Sequence, residues 1–137
     1  MDEAEARRRF AAAPVARLAT VGASGRPHLV PVTFACAGDA VYTAVDAKPK
    51  TTTRLRRLAN IAANPSVSLL ADHYDDDWAS LWWVRVDGEA QVVAEGSLFD
   101  EAIAALVGKY RQYAHRPPDG PAVVVRVTGL RSWSASR

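Results

Sequence analysis

Residues 41–65 read VYTAVDAKPKTTTRLRRLANIAANP and contain the change of pattern that organises the rest of the chain. The alternating apolar run at 41–45 predicts a strand, and residues 51–63 follow with the spacing of an amphipathic helix. No acidic residue occurs between Asp46 and Asp72, whereas five positive charges do. The start of such a helix offers free backbone N–H groups and a positive dipole end. The stretch therefore predicts an anion site, and we expect the anion to be the phosphate of a cofactor.

The size and composition of the chain are those of one globular domain. It has 137 residues, of which 49% are hydrophobic, so we expect a single cofactor-binding domain over residues 1–137. The formal net charge of +2 argues against bulk nucleic-acid binding. No apolar run approaches the roughly 18 residues that span a membrane, and the charged N-terminus does not resemble a secretory signal.

The cysteine and histidine content limits which disulfides and metal sites can be expected. The single cysteine, Cys36, forms no internal disulfide, and the three histidines are scattered without metal-ligand spacing. We therefore expect a reducing, cytoplasmic location and no metal.

The remaining segments predict a mainly β protein with flanking helices. Helices are expected over residues 2–13, 51–63 and 97–111, with Ser97 capping the last. The predicted strands cover residues 15–21, 28–36, 40–45, 66–71, 81–86, 89–94 and 122–127, the last with an extension towards 133 left open. Pro31 predicts an edge position or a bulge for the second strand, and Asp87-Gly88 predicts a tight hairpin turn.

Six or seven strands joined mainly by hairpins predict an antiparallel barrel or sandwich. Alternating strand–helix units are absent, so a doubly wound sheet is not expected. The Gly-x-Gly-x-x-Gly fingerprint and the Walker-type phosphate loop are absent as well.

The order of three motifs resembles a known superfamily over nearly the whole chain. The opening hairpin carries VARLATV at residues 15–21 and GRPHLVPV at 25–32, and the basic helix carries Lys50-Thr51, Arg54-Leu55, Asn60-Ile61 and then NPSV at 64–67. These resemble the split β-barrel flavoproteins, which are similar to pyridoxamine 5′-phosphate oxidase. The segments DHYDDDW at 72–78 and LWWVR at 81–85 resemble the branch that uses the deazaflavin coenzyme F420 in place of FMN.

The resemblance implies a split antiparallel β-barrel of the FMN-binding type, with six or seven strands. It also implies a homodimer with two cofactor sites at its interface, and an F420-dependent oxidoreductase that transfers hydride from the reduced coenzyme to a small unsaturated organic substrate. Because the cofactor performs the redox chemistry, no catalytic side chain is implied. The implied cofactor-binding residues are Val30, Pro31, Val32, Thr33, Thr43, Ala44, Val45 and Asp46 beside the ring; Lys48, Lys50, Thr51, Arg54, Arg57 and Asn60 around the phosphate and the tail; and Trp78 and Trp83 for stacking or for the substrate pocket.

Several alternatives stay open at the level of sequence. The same barrel could bind FMN. Lys48 mildly disfavours FMN, because it is a cation beyond those that one phosphate requires and it suits the acidic tail of F420. The barrel could also be a non-catalytic cofactor-binding or haem-binding protein, for which no axial ligand is singled out. The basic helix could be an ordinary solvated surface, and one of Trp82 and Trp83 is expected to serve packing, since neighbours on a strand face opposite sides. The C-terminal RSWSASR lacks the histidine of pyridoxamine-phosphate oxidases, which argues against vitamin oxidation.

Overall fold

The computed structural model describes residues 1–45 and 52–135, and for residues 52–55 it describes the helical backbone without the side chains. The elements are α1 (Glu3–Ala12), β1 (Ala16–Val21), β2 (Pro27–Val32), β3 (Ala35–Ala37), β4 (Ala40–Ala44), α2 (Thr52–Ala63), β5 (Ser66–His73), β6 (Trp82–Val93), α3 (Ser97–Lys109) and β7 (Ala122–Ser134). Short 3₁₀ turns occupy Trp78–Ser80 and Arg111–Tyr113. The three predicted helices are confirmed, and so is the mainly β class.

All seven strands belong to one antiparallel sheet, in the order β2-β1-β5-β6-β7-β4-β3. A flat sheet of this width would separate its outer strands by about 29 Å. Here the outer strands are β2 and β3, and only Thr33 and Phe34 lie between them, which allows a separation of at most about 11 Å. The sheet must therefore curl until its edges meet. The result is the expected split barrel, with the split at the corner formed by residues 33–34.

The core lies inside the curl and under α3. The inner cluster joins Phe10 of α1 and Ile61 of α2 to Leu18, Leu69 and other side chains of the strands. A second cluster, on the other side of β4 and β7, packs Ala102 of α3 against neighbours that include Val124. The first half of β7 is therefore buried on both faces, which explains its unbroken apolar sequence.

Two predicted strand boundaries are wrong near the split. The sequence predicts one strand over residues 28–36, but β2 ends at Val32 and β3 begins at Ala35, because the chain turns the barrel corner between them. Pro31 lies on the outermost strand, as an edge position requires, since its missing N–H costs no sheet hydrogen bond on the open side.

The predicted hairpin at Asp87-Gly88 is also wrong. β6 runs unbroken through both residues, and the irregularity is a bulge in the neighbouring strand. Asp87 pairs with Gly129 and Gly88 pairs with Val127, so Thr128 is an extra residue on β7. Glycine is needed at 88 because a Cβ there would lie 2.5 Å from the carbonyl oxygen of Arg126. The dipeptide thus reflects a close approach of two strands, and not a turn.

The ends of the helices follow simple local chemistry. The Asp2 carboxylate caps α1 by accepting a hydrogen bond from the backbone N–H of Glu5 at 2.8 Å. The predicted cap of α3 is displaced by one residue, because Gly96 occupies the cap position with φ of 96° and Ser97 is already helical. Among the described residues, no helix has the length and apolarity that a membrane crossing requires.

Candidate functional site

The barrel split brings together residues from the two groups that were predicted to contact the cofactor ring. The Thr43 hydroxyl donates a 2.7 Å hydrogen bond to the carbonyl oxygen of Thr33, and the Thr43 side chain is only 1% exposed. Along β2 the side chains alternate, so Val30 and Val32 turn inward while Pro31 turns outward. A ligand at this edge can therefore contact backbone atoms and every second side chain. It cannot contact the side chains of all four residues 30–33 equally.

Two tyrosines that follow α3 hold the split in place. The backbone N–H of Phe34 donates to the Tyr110 hydroxyl oxygen at 3.0 Å. The single Tyr110 hydroxyl proton is shared between two carbonyl oxygens, those of Pro14 and Phe34, each at 2.9 Å. The Tyr113 and Thr33 hydroxyls are 2.8 Å apart. Because these bonds satisfy backbone groups that no strand partner reaches, the tyrosines fix the corner where a cofactor ring is predicted to lie.

The end of β4 is tied to the Pro-rich loop before β7. Ala44 is half-buried and Val45 is buried, and the Val45 backbone N–H donates to the carbonyl oxygen of Pro121 at 3.0 Å. The final residue of the 114–121 loop is therefore anchored beside the predicted ring site.

The basic helix α2 packs across the far end of the first hairpin. Arg57 is only 9% exposed, although Arg56 beside it is exposed. Asn60 donates from Nδ2 to the Thr20 hydroxyl at 3.1 Å, and a Cβ at Gly22 would lie 2.3 Å from its Oδ1. Asn60 thus docks the helix on β1, whereas Arg57 brings a shielded positive charge to the same junction.

His28 lies at the start of β2, close enough to these arginines for their charge to affect its pKa. Its side chain is half-buried, and Nδ1 is shielded from solvent without a hydrogen-bond partner among the described residues. Burial, followed by repulsion from Arg57 and then from Arg56, lowers the pKa of His28 below 6.5. The junction of α2 and β2 is therefore electropositive, which suits an anion and keeps the imidazole neutral.

We predict that Arg56→Ala raises the pKa of His28 towards 6.5, because the substitution removes a repulsive exposed cation. Unfolded His28 binds a proton more readily than folded His28. Its contribution to stability is therefore complete above pH 6.5 and is lost as the pH falls from there through the folded pKa. NMR titration of the histidine Cε1–H resonances measures the shift. Arg126→Ala, far away on β7, is the matched control, and a wild-type His28 that titrates at or above 6.5 would contradict the prediction.

The tryptophans divide between the two sides of the sheet, as the strand alternation predicts. Trp82 packs against the inner cluster, and the Arg9 guanidinium lies 5.6 Å from its ring centroid. Trp83 faces outward and pairs across the sheet with Asp72 and Trp133. Trp78 is 76% exposed on its 3₁₀ turn. Of these three, Trp82 serves packing, while Trp78 and Trp83 remain available to a ligand or a partner.

Several predicted site residues cannot be placed. Asp46, Lys48, Lys50 and Thr51 lie outside the described residues, and so does the side chain of Arg54. Among the described residues, no three His, Cys, Asp or Glu side chains converge as metal ligands. Two carboxylates of the acidic stretch at the end of β5 have partners within the chain: Asp72 pairs with Arg17 at 3.3 Å, and Asp75 pairs with His73 at 2.8 Å.

Sequence reasoning missed Tyr113, and it treated His28 as an ordinary surface or hydrogen-bonded histidine. No sequence signal paired the two tyrosines, because Tyr110 lies just beyond α3 in an extended conformation and Tyr113 follows in a separate 3₁₀ turn. For His28 no sequence signal existed, because Arg56 and Arg57 become its neighbours only when α2 folds across the hairpin.

The curled seven-stranded antiparallel sheet with its flanking helices defines a split-barrel protein. The model of the family described as pyridoxamine 5′-phosphate oxidase matches residues 2–134, and the chain belongs to this family. No curated protein matches the sequence.

Solved structures share the fold at low sequence identity. A conserved hypothetical protein from Mycobacterium tuberculosis is 24% identical with a TM-score of 0.73, and the match covers 98% of this chain and 86% of that one. The haem storage protein HutZ from Vibrio cholerae is 20% identical with a TM-score of 0.73, covering 94% and 92% of the two chains. An FAD-binding protein from Mesorhizobium loti is 19% identical with a TM-score of 0.72, covering 96% and 94%.

Proposed function

We propose that this protein is an oxidoreductase that binds reduced coenzyme F420 and transfers a hydride to a small unsaturated organic substrate. Family membership supports a cofactor-binding barrel. The acid-free stretch between Asp46 and Asp72, with its five positive charges, supports a phosphate-bearing cofactor with an additional acidic group. The motif DHYDDDW at residues 72–78 supports the F420 branch by resemblance.

The observation that carries the proposal is the separation of two different environments along one strand. The tyrosine-held corner at Thr33 lies at one end of β2, and the electropositive junction of His28 with Arg57 lies at the other. Thr33 lies five residue steps along the chain from His28, which corresponds to about 17 Å. A ligand that uses both ends must be elongated, with a flat uncharged part and an anionic part, as a deazaflavin or a flavin nucleotide is.

The residues present fit such a group. The buried Arg57 and the exposed Arg56 supply positive charge for a phosphate. The neutral His28 offers a ring nitrogen, Nδ1, that no other described group satisfies. The bound coenzyme would supply the hydride, and the substrate would take up that hydride together with a proton from solvent or from a pocket hydroxyl. The chain itself positions the ring at the corner, neutralises the phosphate and keeps water from the inner edge, where Val32 is buried.

The choice between F420 and FMN is tested by binding. Fluorescence titration of the purified apo-protein with F420, and separately with FMN, should give tight binding of the deazaflavin and weaker binding of FMN. A preference for FMN would refute the F420 assignment while leaving the flavin-type site. Turnover with reduced F420 and a panel of unsaturated acceptors then tests the reductase activity.

We predict that Lys50→Ala weakens F420 binding at least about tenfold, because a charge-assisted bond to a phosphate in a partly dry site contributes roughly 1.5–3 kcal/mol. The same titration measures the change. The matched control is Arg8→Ala, which removes an exposed cation from α1. Equal affinities for the two variants and the wild type would show that Lys50 does not contact the phosphate.

We further propose that the protein acts as a homodimer with two cofactor sites at its interface. The outward side of the sheet carries apolar side chains that no described element covers, including Leu29, which is 66% exposed, and the adjacent Trp83 and Trp133. A second copy packed there would also supply pocket residues that one chain lacks.

Light scattering on the eluting protein should give twice the chain mass of 14.8 kDa. Trp133→Glu, which places a charge in the proposed interface, should halve the observed mass. Val15→Glu alters an exposed apolar residue just before β1 and should leave the mass unchanged. A monomeric wild type would contradict the dimer.

A haem-binding function is the second candidate, favoured by the structural similarity to the haem storage protein HutZ. Two of the three histidines support it less well, because Asp75 occupies Nε2 of His73 and His28 lies among arginines. Titration with hemin gives the deciding result: a saturable Soret shift together with no F420 or FMN binding would replace the oxidoreductase proposal.

A further inference from the structure

A cavity of about 260 Å³ lies between α1 and the inner side of the sheet. Its lining comes from α1, from the β3–β4 hairpin and from the strands β6 and β7 on either side of the bulge. The side chains that define it include Phe10, Ala11, Cys36, Val41, Val86 and Leu130. None of these residues belongs to the predicted cofactor site, so the cavity is a separate feature of the molecule.

The inner part of this cavity is apolar. Phe10, Val41 and Val86 in its lining are almost completely buried, so each presents only a small surface to the cavity. Most of the apolar surface that an occupant would meet comes from the half-buried Ala11, Val127 and Leu130. Water gains too few hydrogen bonds against such walls, whereas an apolar molecule gains both burial and contact. The walls therefore select an apolar occupant.

Among the described residues that line the cavity, Arg7 is the only charged one, and it does not favour an anionic occupant. Its guanidinium is already paired with Glu3 at 3.1 Å and lies 3.5 Å from an oxygen of Asp39. These two carboxylates offset the positive charge at the mouth. Cys36 adds no charge of its own, because burial raises the pKa of its thiol. The occupant that the cavity favours is therefore neutral.

We propose that this cavity is a second binding site, which takes a neutral apolar molecule of one or two rings. Apolar protein cavities of about 150 Å³ hold a single benzene ring, so the larger volume here accommodates a fused bicycle. The site is independent of the cofactor proposal, because it shares no residue with the split or with the α2 junction. The single cysteine of the chain, located in its wall, provides a natural reporter of occupancy.

Two measurements with indole as the probe test the site in the full chain. In methyl NMR, saturable shifts should be confined to Val41, Val86, Val127 and Leu130. Alkylation of Cys36 by N-ethylmaleimide should slow about fivefold when indole is present at about four times its Kd, since only the unoccupied cavity reacts.

Matched variants of α1 separate the cavity from general surface binding. Ala11→Phe fills the volume from the half-buried lining position and should abolish both the shifts and the protection. Ala12→Phe places the same ring at the adjacent exposed position and should leave both intact. Val127→Phe, which fills the cavity from the inward side of β7, serves if Ala11→Phe does not fold.

Indole shifts scattered over the surface, or protection of Cys36 that persists in the filled variant, would overturn the proposal. So would the absence of any saturable response to indole in the wild type. Because no cofactor is involved, none of these outcomes bears on the F420 assignment.

Discussion

Gly88→Ala should destabilise the protein by about 2–3 kcal/mol, because the added Cβ would lie 2.5 Å from the carbonyl oxygen of Arg126 and 2.6 Å from Cγ1 of Val125. This close approach lies beside the β7 bulge, in which Thr128 is the extra residue. Before the bulge, Val123 and Val125 face the inner cluster, and after it Leu130 does so, so the inward positions change from odd to even numbers. If β7 kept Thr128 in regular alternation and formed no bulge, Arg131 and Trp133 would point inward and Leu130 would point to solvent.

The control for this substitution is Gly129→Ala, which adds the same methyl group to β7 on the other side of the bulge. Its Cβ would lie no closer than 3.8 Å to a carboxylate oxygen of Asp87, which is an ordinary contact, so it should cost less than about 1 kcal/mol. Urea unfolding followed by tryptophan fluorescence compares the variants, because the free energy of unfolding follows from the midpoint and the slope. Equal unfolding free energies for Gly88→Ala and Gly129→Ala would show that β6 and β7 do not approach closely at Gly88.

The same bulge shows where sequence reasoning about this fold stops. Asp87-Gly88 between two apolar runs has the composition of a tight turn, and local sequence cannot distinguish that turn from a close approach of another strand. The cause of Gly88 lies at Arg126, far along the chain, which becomes a neighbour only when β7 joins the sheet. In contrast, α1 and α3 were predictable because their signals are local: a capping Asp2 and periodic buried residues such as Phe10 and Leu106.

The candidate site divides in the same way. The basic, acid-free character of α2 is readable from residues 47–71 alone, because net charge needs no fold. The burial of Arg57 and the pairing of Thr33 with Tyr113 cannot be predicted from local sequence, because both arise from packing between segments that are distant in sequence. Sequence therefore indicated which chemistry the site contains, and the fold showed which parts of it meet.

The second large effect is expected at Phe34, where Phe34→Ala should cost about 3–5 kcal/mol of unfolding free energy. The Phe34 side chain is completely buried at the barrel corner, with its ring centroid 4.8 Å from that of Phe10. The Lys109 ammonium lies 3.8 Å from the same ring and donates to the carbonyl oxygen of Ala13 at 2.7 Å. One ring thus connects α1, α3 and the split, and its removal leaves a cavity among all three.

Lys109 provides a readout that separates loss of the ring from simple loss of stability. Burial lowers the pKa of Lys109, so water entering the space left by Phe34→Ala should raise that pKa back towards 10.5, as measured by NMR of the lysine side chains. Phe34→Leu is the matched control, because it retains most of the apolar volume and should cost less than about 2 kcal/mol, including the lost cation–π contact. If Phe34→Leu and Phe34→Ala lower stability equally and leave the pKa of Lys109 unchanged, the ring does not support the corner. If they differ as expected, the hydrophobic packing of this one residue holds the edge against which the cofactor ring is proposed to lie, and Phe34→Ala should weaken cofactor binding as well.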